Sequence, residues 1–196
     1  TGVQDLVTGL GLPYGVGLDV TGGKLYWSDI GTHKIQRANL DGTGLQDLVT
    51  GLGTPYTLAL DVAGGKVYWP DRTAGKIQRA NLDGTGANQS FITGAGNPIG
   101  VAVDGQHVHW SNYGTNTIGR ANLDGGSPNQ AFISGANSPL SVAVDGLRVY
   151  WTNFGIGTIG RANLDGSAVS QAFIGAAGVV GVAVDGQRIY WTSQTL

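Results

Sequence analysis

The sequence predicts an all-β propeller of five blades, and three observations predict it. Tryptophan recurs at Trp27, Trp69, Trp110, Trp151 and Trp191, at intervals of 42, 41, 41 and 40 residues. An octapeptide of the form IxRANLDG begins at Ile35, Ile77, Ile118 and Ile159. Between these marks the chain alternates short apolar runs with Gly- and Asp-rich turns, four runs to a cycle. A period of this length means stacked repeat units, and four short antiparallel strands per unit is the pattern of a propeller blade. One such blade cannot bury both of its faces, so each must stack on its neighbours. No window carries helical apolar spacing over ten residues or more.

Taken in order, Val3–Leu10 (VQDLVTGL) returns as LQDLVTGL at Leu45–Leu52 and reads as a short outer strand closed by a Gly turn. GVGLDV, KLYWSD, HKIQRANLDG and LQDLV then complete one blade. The cycle restarts near Tyr56, Ile99 and Leu140, and a last partial cycle, GVAVDGQRIYWTS, has no octapeptide. The chain is read as one domain, 1–196, with units at about 14–55, 56–97, 98–138, 139–178 and 179–196, the last grouped with 1–13. Blade five has two strands of its own and borrows Val3–Thr8 as a third, so closure through a shared strand is weak or absent. The rival expectation is a fragment of a larger ring, completed by further residues or by a second chain.

Composition agrees. All thirteen acidic residues are Asp, which suits turns as Glu suits helices. A net charge of −2 with scattered Lys and Arg gives no footprint for nucleic acid or an anionic membrane. No apolar run approaches the ~20 residues that a membrane helix needs. With no Cys there is no disulfide, thiolate ligand or cysteine nucleophile.

The Tyr-Trp strands YWSD, YWPD, HWSN, YWTN and YWTS, each followed by IxRANLDG in all but the last unit, resemble the YWTD repeat of the low-density lipoprotein receptor class B propellers. Those propellers typically have six blades, against five Trp units here. The fourth motif position also drifts, from Asp29 and Asp71 to Asn112, Asn153 and Ser193. The resemblance implies an extracellular, cell-surface or periplasmic setting and a protein or peptide ligand.

Residues present in every blade, such as Arg37, Arg79, Arg120 and Arg161, read as scaffold. Variation and aromatic residues gather where first strands begin and second strands turn into third strands, which share one face. Tyr14, Tyr56, Arg72, Tyr113 and Phe154 are therefore the candidate ligand-binding residues, the aromatics for contact area and Arg72 as polar anchor. The bland alternative is that they cover the end of the core. Metal candidates are weaker: His107 and His109 share a strand face, and Asp29, Asp71, Asn112 and Asn153 could offer oxygens to Ca²⁺. No cofactor is otherwise indicated. No nucleophile elbow, zinc-protease helix or phosphate loop is present, and either register of the first strands that could face the axis is apolar. The expected function is a non-catalytic binding or scaffold module. The alternatives are a spacer in a repetitive surface protein and a metal-dependent hydrolase or lactonase using the central mouth. Self-association through the incomplete fifth blade is a further expectation.

Overall fold

In the computed structural model, which describes residues 2–194, the chain forms five antiparallel sheets. The first holds β1 (Pro13–Asp19), β2 (Lys24–Asp29), β3 (Lys34–Asn39) and β4 (Gln46–Val49). The second holds β5 (Ala59–Asp61), β6 (Lys66–Asp71), β7 (Lys76–Asn81) and β8 (Asn88–Thr93). β9 (Pro98–Val103), β10 (His107–Asn112), β11 (Thr117–Asn122) and β12 (Asn129–Ser134) form the third. β13 (Pro139–Val144), β14 (Arg148–Asn153), β15 (Thr158–Asn163) and β16 (Ser170–Gly175) form the fourth, with a 3₁₀ turn, η1, at Phe154–Ile156. β17 (Val179–Val184) and β18 (Ile189–Ser193) form a two-stranded fifth. Within each blade the strands lie in chain order, joined by tight turns.

The apolar layers lie between blades. Tyr26, Ile35 and Val49 of blade one meet Leu58, Val67 and Trp69 of blade two. Tyr68 and Ile77 meet Val101 and Trp110 in the same way, and Ile118 and Ile133 meet Val142 and Trp151. Trp69, Trp110 and Trp151 thus each face the preceding blade. Trp69, Trp110 and Trp151 are fully buried, whereas Trp191 is 45% exposed. A third strand covers each of the three: Gln78 lies opposite Trp69 and accepts from its indole, while Gly119 and Gly160 lie under Trp110 and Trp151, where any Cβ would strike the ring. Among the described residues no third strand lies beside β18.

Four links repeat from blade to blade. In blades one to three the Arg of the third strand reaches forward to the next Asn-Leu-Asp-Gly turn. Arg37, Arg79 and Arg120 donate to the carbonyls of Leu82, Leu123 and Leu164 at 2.7, 2.7 and 2.6 Å. Arg79, Arg120 and Arg161 also stack on Phe91, Phe132 and Phe173, 4.1, 4.0 and 3.6 Å from the ring centres. The turn itself needs its glycine, since Gly42, Gly84, Gly125 and Gly166 have φ of 84–92°. Hydroxyls near the axis form the last link: Ser28 donates to the Tyr56 carbonyl, Ser111 to that of Leu140 and Thr152 to that of Val180.

Two expectations are corrected. β5 is three residues long, shorter than its counterparts. The equivalent of Ser28 in blade two is Pro70, which has no hydroxyl to hold the strand's start. Thr57 replaces it as the link to blade three, donating to the Ile99 carbonyl at 3.0 Å and accepting from Val101 N–H at 3.1 Å. Val3–Thr8 is not a strand. Its Leu6 backbone lies against Gly42 where Leu48 lies against Gly84 in the next blade, and Val7 and Leu10 cover Trp27. The segment takes the position of a preceding outer strand, but with no third strand to pair with it remains irregular.

Candidate functional site

The first strands of all five blades converge on one channel. Val16, Leu58, Val101, Val142 and Val182 line it together with Gly15, Thr57, Gly100 and Ser141, around a space of about 220 Å³. Of the two registers open to the sequence, the structure selects the Val/Leu one. The only side-chain oxygens in this lining belong to Thr57 and Ser141, and both stitch neighbouring backbones together: Ser141 accepts from Val182 N–H at 3.2 Å.

The residues just before this lining form the channel mouth. Tyr14, Tyr56, Arg72, Tyr113 and Phe154 all border one cavity of about 220 Å³, joined by Ile99 and Leu140. Tyr14 lies in β1, Tyr56 just before β5, Arg72 and Tyr113 in the β6–β7 and β10–β11 turns, and Phe154 in η1. Tyr14 and Tyr56 meet edge to face with ring centres 4.9 Å apart. Arg72 Nη1 donates to the Tyr56 hydroxyl at 2.9 Å, and the guanidinium stands 5.5 Å from the Tyr56 ring centre and 5.6 Å from that of Tyr113. The cation is therefore held between two aromatic faces. Burial and the neighbouring Tyr56 push the Tyr14 phenol above its ordinary value, with Arg72 opposing, so the phenol stays protonated at neutral pH. The mouth carries one fixed positive charge and no carboxylate among its lining residues. Sequence reasoning did not include Ile99 and Leu140 in the site. Their signal was positional, since they fill in blades three and four the place of Tyr14 and Tyr56.

The oxygens proposed for Ca²⁺ are otherwise engaged. Asp29 accepts from the N–H groups of Gly11, Leu12 and Thr32, and Asp71 from those of Gly53, Thr54 and Ala74. Asn112 and Asn153 accept from Gly96 and Asn137 N–H and donate to the carbonyls of Gln130 and Gln171. Each clasps the loop entering its own blade, and all four are buried. The four lie in four separate blades and spend their oxygens on backbone.

Asp104, His107 and His109 do come together, with ligand-capable atoms within 4.8 Å of one another. Asp104 Oδ1 accepts from Gln106 and His107 N–H, and Oδ2 meets His109 Nε2 at 2.9 Å. The same frame recurs with Tyr150 on Asp145 and Tyr190 on Asp185. His109 thus occupies a tyrosine's place in a turn clasp. Burial pushes the His109 imidazole below its ordinary value despite Asp104. Burial raises the Asp104 carboxyl, but hydrogen bonds from His109 and two backbone N–H groups outweigh it and hold the group well below the carboxylate range.

Comparison with known proteins follows this geometry. Residues 23–61, from the turn before β2 to the end of β5, match the low-density lipoprotein receptor repeat class B. A chain of a nidogen/laminin complex superposes with a TM-score of 0.84 at 24% identity, over 92% of this chain and 72% of that one. A catalytically inactive virginiamycin B lyase from Staphylococcus aureus, with quinupristin, gives 0.77 at 18%, over 92% of this chain and 62% of that one. A gluconolactonase from Xanthomonas campestris gives 0.75 at 16%, over 94% and 70%. No curated protein sequence matches. Solved neighbours with such different activities establish the architecture and leave the activity to the site. The chain folds as a β-propeller, and its residues 23–61 match the low-density lipoprotein receptor repeat class B.

Proposed function

We propose that this propeller is a non-catalytic binding module that takes a protein or peptide ligand at the channel mouth. One observation carries the reading: Tyr14, Tyr56, Arg72, Tyr113 and Phe154, contributed by four blades, border a single cavity. Rigid aromatic side chains offer contact area at low entropic cost, and an Arg held between rings is a ready partner for a carboxylate. An extended peptide bearing an acidic side chain or a terminal carboxylate fits that chemistry. The nidogen/laminin neighbour supports a protein ligand, and an extracellular, cell-surface or periplasmic setting accords with it. No helix of the described residues is long and apolar enough to cross a membrane.

The lyase and lactonase neighbours keep catalysis in view as a second reading. Against it stands the lining of the channel and its mouth, which brings no carboxylate or imidazole among the described residues. The test is affinity capture from the native source with wild type and a Tyr113→Ala, Phe154→Ala double variant. A partner retained by wild type and lost by the variant, with melting temperatures alike, is the expected result. Equal capture by both proteins would show that these rings only cover the core.

A further inference from the structure

We infer that Asp104, His107 and His109 form a reversible zinc site on blade three, at the opposite end of β10 from the channel mouth. The site stands apart from the proposed ligand-binding residues, since Tyr113 follows the last residue of β10 and His107 is its first.

Two imidazoles enter one repeat together. The chain holds three histidines, His33, His107 and His109. His107 stands where the other blades have Lys24, Lys66, Arg148 and Arg188, and His109 where they have Tyr26, Tyr68, Tyr150 and Tyr190. Positions two apart on a strand share a face, and both rings turn to the same carboxylate. His107 Nδ1 lies 3.5 Å from Asp104 Oδ1, and His109 Nε2 lies 2.9 Å from Oδ2. All three residues bring ligand-capable atoms within 4.8 Å of one another. A tetrahedral zinc with bonds of about 2.0–2.1 Å asks for ligand atoms about 3.3 Å apart, so the set needs only side-chain adjustment to close on one ion.

The donor set selects the metal. Two imidazoles and a carboxylate suit Zn²⁺, whereas Ca²⁺ asks for about six to eight oxygens. Asp104 and His107 border a cavity of about 310 Å³ with Gln106, Asp145 and Leu164, which gives the ion a way in and leaves room for a water as fourth ligand. His109 is fully buried behind them and holds one donor in place. Its Nδ1 has no hydrogen-bond partner among the described residues. That nitrogen can therefore carry the ring proton while Nε2 turns its lone pair to the metal. Arg120, which pairs with His109 across the sheet, is spent on the Leu164 carbonyl and the Phe132 ring. In blades four and five the same clasp closes on Tyr150 and Tyr190, so the fold does not depend on the ion. Zinc is an added ligand that the finished blade takes up and releases.

The test is calorimetric titration of Zn²⁺ into the full chain after stripping with a chelator and removing it, with melting curves recorded alongside. Uptake of one ion per chain and a saturable rise in melting temperature are expected, with no response to Ca²⁺. His107→Lys, which restores the residue of blades one and two, should keep the melting curve of the stripped chain. It should weaken zinc uptake at least about tenfold, the loss that follows even from removing a partner behind a metal ligand. His109→Tyr should weaken uptake likewise. His33→Gln, at an exposed position in the β2–β3 turn, should bind as wild type does. No saturable uptake by wild type, equal uptake by wild type and His107→Lys, or loss of uptake in His33→Gln would each overturn the inference.

Discussion

His109 is a buried imidazole that bonds Asp104 through Nε2, while its Nδ1 has no partner among the described residues. Its pKa in the fold lies below the ordinary value. The unfolded chain therefore takes up a proton first as pH falls through about 6.5. The contribution of neutral His109 is present above that pH and is lost on the way down to its folded pKa. Asp104, also depressed, adds a second loss below the ordinary carboxylate range. His109→Tyr, the residue at the equivalent positions 150 and 190, should abolish the loss that begins below about pH 6.5 and shrink the more acidic one, since His109 supplies one of the bonds that depress Asp104. Denaturant melts at a series of pH values would read this directly. The buried indole N–H groups make a second test. Trp27 and Trp69 donate to Gln36 and Gln78 of the adjacent third strand, at 3.0 and 2.9 Å. Trp110 and Trp151 face glycines there and turn to Gln130 and Gln171 of the fourth strand, at 3.1 and 3.0 Å. Gln130→Ala should destabilise by about 1–3 kcal/mol, the cost of an orphaned buried donor, measured by chemical denaturation.

Blade two is the irregular element, and its irregularity can be tested. Blades three and four hold their successors through Ser111 and Thr152, but Pro70 leaves that work to Thr57. Thr57→Val keeps the shape and strips both hydrogen bonds, so a loss of about 1–2 kcal/mol is expected. Ser141→Ala should cost less, because Thr152 still joins blade four to blade five. These cases mark what was legible in the sequence. The Tyr-Trp strands, the Asp-Gly turns and the inter-blade layers were legible because each depends on a local period. The short β5 was not, since its extent depends on a hydroxyl missing from the neighbouring strand. Nor was the irregular state of residues 3–8, which repeat the sequence of β4 but lack a partner strand. The five mouth residues could be named from loop variation and strand direction. The bond between Arg72 and Tyr56 could not, because it joins two loops whose relative height only the folded blade sets.

At the scale of the whole molecule, successive blades are joined through an arginine, a ring and a hydroxyl repeated with small changes. Because the oxygens of Asp29, Asp71, Asn112 and Asn153 are spent on backbone, a chelator should leave the melting curve unchanged; a drop of several degrees would reveal a structural metal, with Asp104, His107 and His109 as the first place to look. The repetition also has a kinetic consequence. Residues 3–10 and 45–52 differ at a single position, yet one copy lies as an irregular cover on Trp27 and the other forms part of an outer strand. During folding either copy can be tried in either berth, and only the rest of the blade tells them apart. Such a chain should refold in two phases, the slower one undoing exchanged placements. Making the copies unlike, by Leu6→Ala, should shrink that slower phase while the native emission is kept. A protein assembled from near-identical parts has to sort them as well as fold them.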